Sequence, residues 1–353
     1  MKETKKQFMP EKINVAVVGA SGLVGGELLE LLEKRKFPVG TFMPFNSGRT
    51  EAAVVFQGRK YVCMKPTFSA LKKAGLVFFV STDEVSARFA RELSDSGVWC
   101  IDDSSKFRLD KSVPLIIPEV NAGDIKPGQR LIAGPNCTLT GAAVALNNIH
   151  KALTIEELRI ATYQAVSGAG KSAMKQLEEE LRHYLKHGKV PALKGREFPR
   201  AIAFNLFPQV GGFDKNGMSL EEAKVEAELK KIWASPDIKI SSMAVRVPVL
   251  RGHSLSVWVK TAKKWDLLRL EELLLKTQGL EFAKNPYKYP TPLDSVKTAG
   301  VKAGRLRASK TSPNEFQLWI VSDNLYKGAA LNSVEIAEYL LAHGLLKQPG
   351  GVK

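Results

Sequence analysis

The run Ile13-Asn14-Val15-Ala16-Val17-Val18 passes directly into Gly19-Ala20-Ser21-Gly22-Leu23-Val24-Gly25, and this junction restricts the fold more than any other segment of the chain. A short β-branched run reads as a buried strand, and Leu28, Leu29, Leu31 and Leu32 then take up helical spacing. Strand, glycine turn and helix in immediate succession open a βαβ unit, where backbone N–H groups and the helix dipole can receive a pyrophosphate. The spacing Gly19-x-x-Gly22-x-x-Gly25 departs from G-x-G-x-x-G, and an ordinary tight βα turn would use the same residues. Placement directly behind the first strand favours a dinucleotide. Further strands are expected at 41–45, 53–56, 75–80, 98–101, 115–117 and 131–133, with a helix at 84–93. Such alternation predicts an α/β domain built on a parallel sheet.

The end of the second strand bears on which dinucleotide is bound. An NAD site wants an Asp or Glu there for the ribose 2′-OH. This chain offers Asn46-Ser47-Gly48-Arg49-Thr50, where Arg49 and two hydroxyls, Ser47 and Thr50, suit the 2′-phosphate of NADP. The alternative is a polar turn with a solvated Arg, and Glu51 next door counts in its favour.

Beyond Cys137 the pattern changes. A helix is expected over 139–151, a strand over 158–166, an amphipathic helix over 171–186, and another helix from the Ser219/Glu222 capping box to about Trp233. Strands at 238–247 and 255–260 flank a turn at Arg251-Gly252, and 285–307 reads as an excursion loop. A last strand at 316–321 precedes a helix at 333–341 that returns to the first domain.

The 353 residues suggest two domains at roughly 150 residues each. With 44% hydrophobic and 25% charged residues, wholesale disorder is excluded. The uncharged stretch 131–149 carries Gly134-Pro135-Asn136 and Asn147-Asn148, which a membrane span would rarely contain, so no membrane association is expected. The basic N-terminus lacks an apolar h-region and reads as a solvated tail rather than a signal peptide. The three cysteines favour a reducing compartment, the cytoplasm. The net charge of +16 is scattered in doublets and triplets without a basic arm, so it points to solvated surface and anionic small ligands, not nucleic acid. No metal is expected.

Cys137, in Gly134-Pro135-Asn136-Cys137-Thr138, follows a strand and opens a helix, where N–H groups lower a thiol's pKa. A buried, inert thiol is the commoner situation, and Cys63 and Cys100 fit it; the place of Cys137 behind the dinucleotide domain and beside an Asn favours a nucleophile. Gln164 ends a strand before Ser167-Gly168-Ala169-Gly170 and can hold a carbonyl or a water, although alone it reads as a loop-capping amide. Arg246 matches a carboxylate and His253 can move protons, though His253 shares its face with Leu255 and Val257 and would also suit a core. Lys224, Glu228 and Lys231 share one helix face, by default a solvated one.

Together these segments resemble the aspartate-β-semialdehyde dehydrogenases, from Ile13 to about Leu341. The resemblance is carried by GASGLVG (19–25), DDSSKFR (102–108), VPLIIPEVN (113–121), GPNC (134–137), TYQAVSGAG (162–170), AIAFNLFPQV (201–210), VRVPVLRGHS (245–254) and VSDNLYKGAALNSVEIAE (321–338). It implies an α/β fold of the semialdehyde dehydrogenase and glyceraldehyde-3-phosphate dehydrogenase type. A Rossmann-like NADP-binding domain (1–136 and 324–353) would be joined to an α+β catalytic and dimerisation domain (137–323). The implied reaction is NADPH-dependent reductive dephosphorylation of aspartyl-β-phosphate to aspartate semialdehyde, in the biosynthesis of lysine, threonine and methionine, by a homodimer or homotetramer.

By the same resemblance Cys137 is the nucleophile, His253 the acid/base and Gln164 the residue that orients the acyl group. Arg246 would clamp the α-carboxylate and Glu228 would meet the amino group. Arg108, Lys231 and Asn136 would hold the phosphate. The cofactor would be bound by Gly19, Ser21, Gly22, Leu23, Val24, Gly25, Ser47, Arg49, Thr50, Ser167 and Gly168, with Asn332 at the nicotinamide amide. The chain departs from the family pattern at Asp103, where Asn is common, at Thr138 for Ser, at the acidic 80–84 loop, at Leu255 for Glu and at 46–50. The competing expectations are a related reductase such as N-acetyl-γ-glutamyl-phosphate reductase, and a non-catalytic paralogue. Arg246 with Glu228 suits a free amino acid and argues against the first; joint retention of Cys137, Gln164, Arg246 and His253 argues against the second.

Overall fold

The computed structural model describes residues 12–48, 51–191 and 197–347. Strands β1 (Ile13–Val18), β2 (Val39–Phe45), β5 (Leu76–Phe79), β6 (Trp99–Asp102) and β7 (Leu131–Ala133) form one sheet in the order β2-β1-β5-β6-β7, all parallel. β3 (Ala53–Phe56) and β4 (Arg59–Val62) make a separate antiparallel hairpin. β1 is buried on both faces, as a central strand of a doubly covered parallel sheet must be. Helix α1 (Leu23–Lys34) shares one core layer with α8 (Leu331–Ala342), through Leu28, Leu31, Val334 and Leu340. Helix α2 (Asp83–Asp95) covers the other face with Phe89, Ala90 and Leu93. Each such large apolar side chain, fully buried, contributes about 1.5–3 kcal/mol.

A second, mixed sheet has the order β11-β12-β13-β10-β8-β9. Its strands are β8 (Ile155–Gln164), β9 (Lys239–Arg246), β10 (His253–Thr261), β11 (Leu280–Phe282), β12 (Val301–Ala308) and β13 (Glu315–Ser322). Helix α3 (Cys137–Ala145) packs against β10, β12 and β13, with residues 138–145 all buried. α4 (Asn147–Leu153), α5 (Lys171–His187), α6 (Leu220–Ile232) and α7 (Leu267–Leu275) complete this half. Row by row, Met243, Ala161, Ser256 and Trp319 lie abreast on the other face of the sheet, where Met243 and Tyr163 are exposed.

Most expected elements are present with ends shifted by a few residues, and the differences have local causes. The helix expected at 139–151 is two helices, α3 and α4, that meet at Leu146, whose ψ of −1° turns the chain. Segment 115–117 makes one isolated bridge, Leu115 to Ala133, because Pro118 then starts a short helix that turns the chain away. The supposed excursion loop at 285–307 contains β12: its alternation of apolar and cationic residues is a half-exposed strand paired with β13. The Ser219/Glu222 capping box forms as expected.

Candidate active site

The two sheets meet at α3. Asn136 caps this helix, its side chain accepting from the Thr138 N–H at 2.8 Å, and so sets Cys137 in the first turn. Gly328, in the π-helical turn Tyr326–Ala330, rests directly on that residue: a Cβ at 328 would lie 2.9 Å from Cys137 Cβ. On the far side Cys137 Sγ is 3.6 Å from His253 Nε2. His253 opens β10 behind Gly252, which has φ +94° and donates its N–H to Asn324 Oδ1 at 3.0 Å.

The Ala165 N–H donates to His253 Nδ1 at 3.1 Å, so the neutral ring carries its proton on Nε2, facing the sulfur. Burial, with Arg246 alongside, pushes the imidazolium down to about 3, and His253 is neutral at physiological pH. Burial and the Glu221 carboxylate push the Cys137 thiol up to about 11, against the pull of Arg108, Thr138 and Arg246. The helix terminus therefore does not make a resting thiolate, contrary to the sequence expectation. Desolvation and Glu221 outweigh it.

Glu221, in the first turn of α6, escaped the sequence reading. Its Oε1 accepts from Asn136 Nδ2 at 2.9 Å, Gln164 Nε2 at 2.8 Å and Thr138 Oγ1 at 3.2 Å. Gln164 also donates to Thr138 Oγ1, while its own Oε1 is buried without a partner. Arg246 donates from Nη1 to the Ala165 carbonyl at 2.7 Å, and Gly168 makes room for it: a Cβ there would be 2.9 Å from that nitrogen.

Two substrate-binding expectations need correction. All three Lys231 ammonium hydrogens have partners, the carbonyls of Arg108, Asp110 and Val113 at 2.7–2.8 Å, so the residue pins a loop and is not free for phosphate. Glu228 is buried and accepts from Arg108 Nη1 at 3.3 Å and from the Asn136 N–H at 2.7 Å, so it organises the pocket wall. The carboxylate on the Gln164 and Thr138 side lies seven residues earlier on this helix, at Glu221. The signal was the first-turn position of Glu221 behind the Ser219 cap. Arg108 also donates from Nη2 to the Asp103 carbonyl at 2.6 Å, and its Nε is buried without a partner.

A cavity of about 680 Å³ runs from Gly22, Leu23 and Val24 past Ser81 and Asp103 to Arg108, Asn136 and Cys137, with Ser167, Gly168 and Lys171 on its other wall. The turn at its start is tight: Gly19 has φ +98°, and a Cβ at Gly25 would lie 2.3 Å from the Gly19 carbonyl oxygen. Lys171 Nζ donates to the Ser21 carbonyl at 2.9 Å and closes the mouth of the turn. Ser47 lies just beyond the end of β2 at Phe45, and Arg49 and Thr50 lie outside the described residues. Asn332 is not on the cavity wall: it donates to the Ile116 carbonyl at 3.0 Å. Asn324, bonded to Ser167 Oγ at 3.0 Å, lines the cavity instead. The bare glycine turn at a helix N-terminus and the buried, unpartnered Ser81 Oγ and Arg108 Nε fit an anionic dinucleotide beside a polar substrate.

Residues 14–127 match the family model described as semialdehyde dehydrogenase, NAD binding domain, and residues 146–327 the one described as semialdehyde dehydrogenase, dimerisation domain. Over 341 residues the chain is 38% identical to the aspartate-semialdehyde dehydrogenase of Synechocystis sp., a match covering 96% of this chain and 100% of that protein. The crystal structure of aspartate semialdehyde dehydrogenase II from Vibrio cholerae superposes with a TM-score of 0.90 at 36% identity, covering 94% of this chain and 99% of that one. A structure of aspartate semialdehyde dehydrogenase II from the same organism, complexed with ASA, gives a TM-score of 0.89 at 35% identity, with the same coverage.

Proposed function

Because the chain belongs to the aspartate-semialdehyde dehydrogenase family, we propose that it reduces aspartyl-β-phosphate to aspartate semialdehyde with NADPH, releasing phosphate, through a thioester on Cys137. The product serves lysine, threonine and methionine synthesis. The observation that carries the reading is the contact of Cys137 Sγ with His253 Nε2 at the end of a cavity that begins at a glycine turn.

The cofactor, when bound, supplies the hydride. The turn Gly19–Gly25 and the N–H groups opening α1, among them Gly22, Leu23 and Val24, receive its pyrophosphate. Ser167, Gly168 and Asn324 would frame the nicotinamide half, Ser21 would act with the glycine turn, and Ser47, Arg49 and Thr50 would take the 2′-phosphate that distinguishes NADP. Arg246 clamps the substrate carboxylate, Glu221 meets the ammonium group, and Arg108 with Asn136 holds the phosphate.

Attack by Cys137 forms the S–C bond and breaks the bond from carbon to the phosphate oxygen; the thiol proton leaves on the phosphate. His253 Nε2–H donates to the oxygen that becomes negative, and Gln164 holds the acyl group in line. After reduction the C–S bond breaks, the sulfur departs as a thiolate that accepts a hydrogen bond from His253 Nε2–H, and a proton from solvent restores the Cys137 thiol.

The division into a nucleotide domain (1–136 and 324–353) and a catalytic domain (137–323) follows from the same reading. So does a homodimer formed through the open sheet face that carries Tyr163, Met243 and Trp319. Among the described residues no helix is long and apolar enough to cross a membrane, and the reading places the enzyme in the cytoplasm. The test is oxidation of aspartate semialdehyde by the purified protein, following NADPH and NADH separately with and without phosphate. Phosphate-dependent NADPH formation is expected; NADH alone would overturn the cofactor assignment, and silence with both would overturn the function.

A further inference from the structure

Strand β6 ends at Asp102, Asp103 follows directly, and the fold treats the two carboxyls unequally. Asp102 accepts three hydrogen bonds, from Ser86 Oγ at 2.7 Å, Ser104 N–H at 3.0 Å and Ser104 Oγ at 2.8 Å. Asp103 accepts one on its side chain, from Ser333 Oγ to Oδ1 at 2.5 Å. Its Oδ2 is shielded from solvent, has no partner, and belongs to a residue that lines the active-site cavity with Arg108 and Cys137. Gly134 leaves the space for this carboxyl, since a Cβ there would lie 2.5 Å from Oδ1.

The two carboxyls turn to opposite faces of the sheet, Asp102 to α2 and Asp103 to α8, and a carboxyl shielded from water keeps its charge only where donors replace the lost hydration. By that count Asp103, with one donor against three, is the carboxyl that more readily holds a proton. The groups facing Asp103 agree. Asp102, directly before it, repels a second charge, the guanidinium of Arg108 is already paired with Glu228 of α6, Cys137 of α3 is a resting thiol, and Ser333 of α8 is neutral. Lys171 on the opposite wall is directed to the Ser21 carbonyl, and Asp83 of α2 to Ser105. Burial and Asp102 hold the Asp103 carboxyl up at about 7, against Ser333 and Arg108.

We propose that Asp103 acts in its protonated form, donating Oδ2–H to an oxygen of the phosphate bound beside Arg108, so that phosphate affinity is lost as this proton is lost. The inference rests on the reading that the Arg108 end of the cavity takes phosphate. A carboxylate there repels that anion, whereas a carboxylic acid supplies a donor that complements the unpartnered Arg108 Nε.

The test is calorimetric titration of inorganic phosphate into the enzyme with NADP⁺, from pH 6 to pH 8.5, for the native protein, Asp103→Asn and Ser333→Ala. The amide is isosteric and donates at every pH, and both proteins see the same ionisation of phosphate itself, so the ratio of their affinities is the readout. Native affinity is expected to fall against the Asn variant by up to about tenfold per pH unit above the midpoint. Ser333→Ala removes the donor that favours the anion and is expected to move the midpoint to higher pH. A ratio that stays constant with pH, or a pH-dependent change confined to nucleotide affinity, would overturn the proposal. Absence of phosphate binding in all three proteins, with no phosphate-dependent turnover, would overturn the parent reading of the site.

Discussion

The backbone N–H of Ala165 donates to Nδ1 of His253 at 3.1 Å and thereby decides which nitrogen faces Cys137. The ring presents a donor, Nε2–H, to the sulfur and to any oxygen that forms beside it. The resting pair is a neutral thiol and a neutral imidazole, because burial raises the first group to about 11 and lowers the second to about 3.

His253 consequently does not titrate near neutrality. Its folded pKa lies below the ordinary 6.5, so the unfolded chain binds the extra proton between about 3 and 6.5 and stability is lost as pH falls through that window. The pH profile of kcat/KM is expected to lack an acid limb near 6.5. His253→Ala is expected to lower kcat by about 10²–10⁴-fold, with nucleotide binding retained in fluorescence titration. An acid limb near 6.5 that disappears in the variant would contradict the neutral assignment.

Alkylation of Cys137 by iodoacetamide in the unliganded enzyme should be slow at pH 8 and still be rising above pH 9. Glu221 raises this thiol, so Glu221→Gln is expected to shift the profile to lower pH while weakening substrate binding. An unchanged alkylation profile in that variant would show that Glu221 does not act on the sulfur.

Gly328→Ala places a methyl 2.9 Å from Cys137 Cβ. Overpacking of this kind costs about 1–3 kcal/mol, read as a lower thermal midpoint, and displacement of the nucleophile should lower kcat more than it alters KM. Native kinetics in this variant would mean that the π-helical turn yields without moving Cys137.

Lys231→Met separates a structural role from a phosphate-binding one. Three carbonyls lose their donor, at about 1–3 kcal/mol for each group left unsatisfied, so the melting temperature should fall while KM for phosphate stays close to native. A large rise in that KM with unchanged stability would restore the sequence expectation.

The sequence singled out Cys137, His253 and the glycine turn because each sits at an element boundary with its own chemical signature, and the structure sets Cys137 3.6 Å from His253 in a cavity that reaches the turn. It did not separate Glu221 from Glu228, since residues seven apart on a helix face the same way and only the packing of α6 on α3 tells which turn meets Gln164. Lys231 looked available for the same reason: backbone carbonyls as partners leave no trace in side-chain patterns. β12 was concealed by its cations, because an edge-proximal strand alternates charge with small apolar residues and imitates a loop. Asn324, which lines the cavity, and Asn332 lie on either side of the π-helical turn Tyr326–Ala330.

The most direct test of the account is the covalent state of Cys137 during turnover. Enzyme mixed with aspartate semialdehyde and NADP⁺ in the absence of phosphate should accumulate an aspartyl thioester, seen by mass spectrometry as an acyl adduct on the Cys137 peptide that phosphate discharges. Active enzyme with no adduct there, or with the acyl group on another residue, would contradict it.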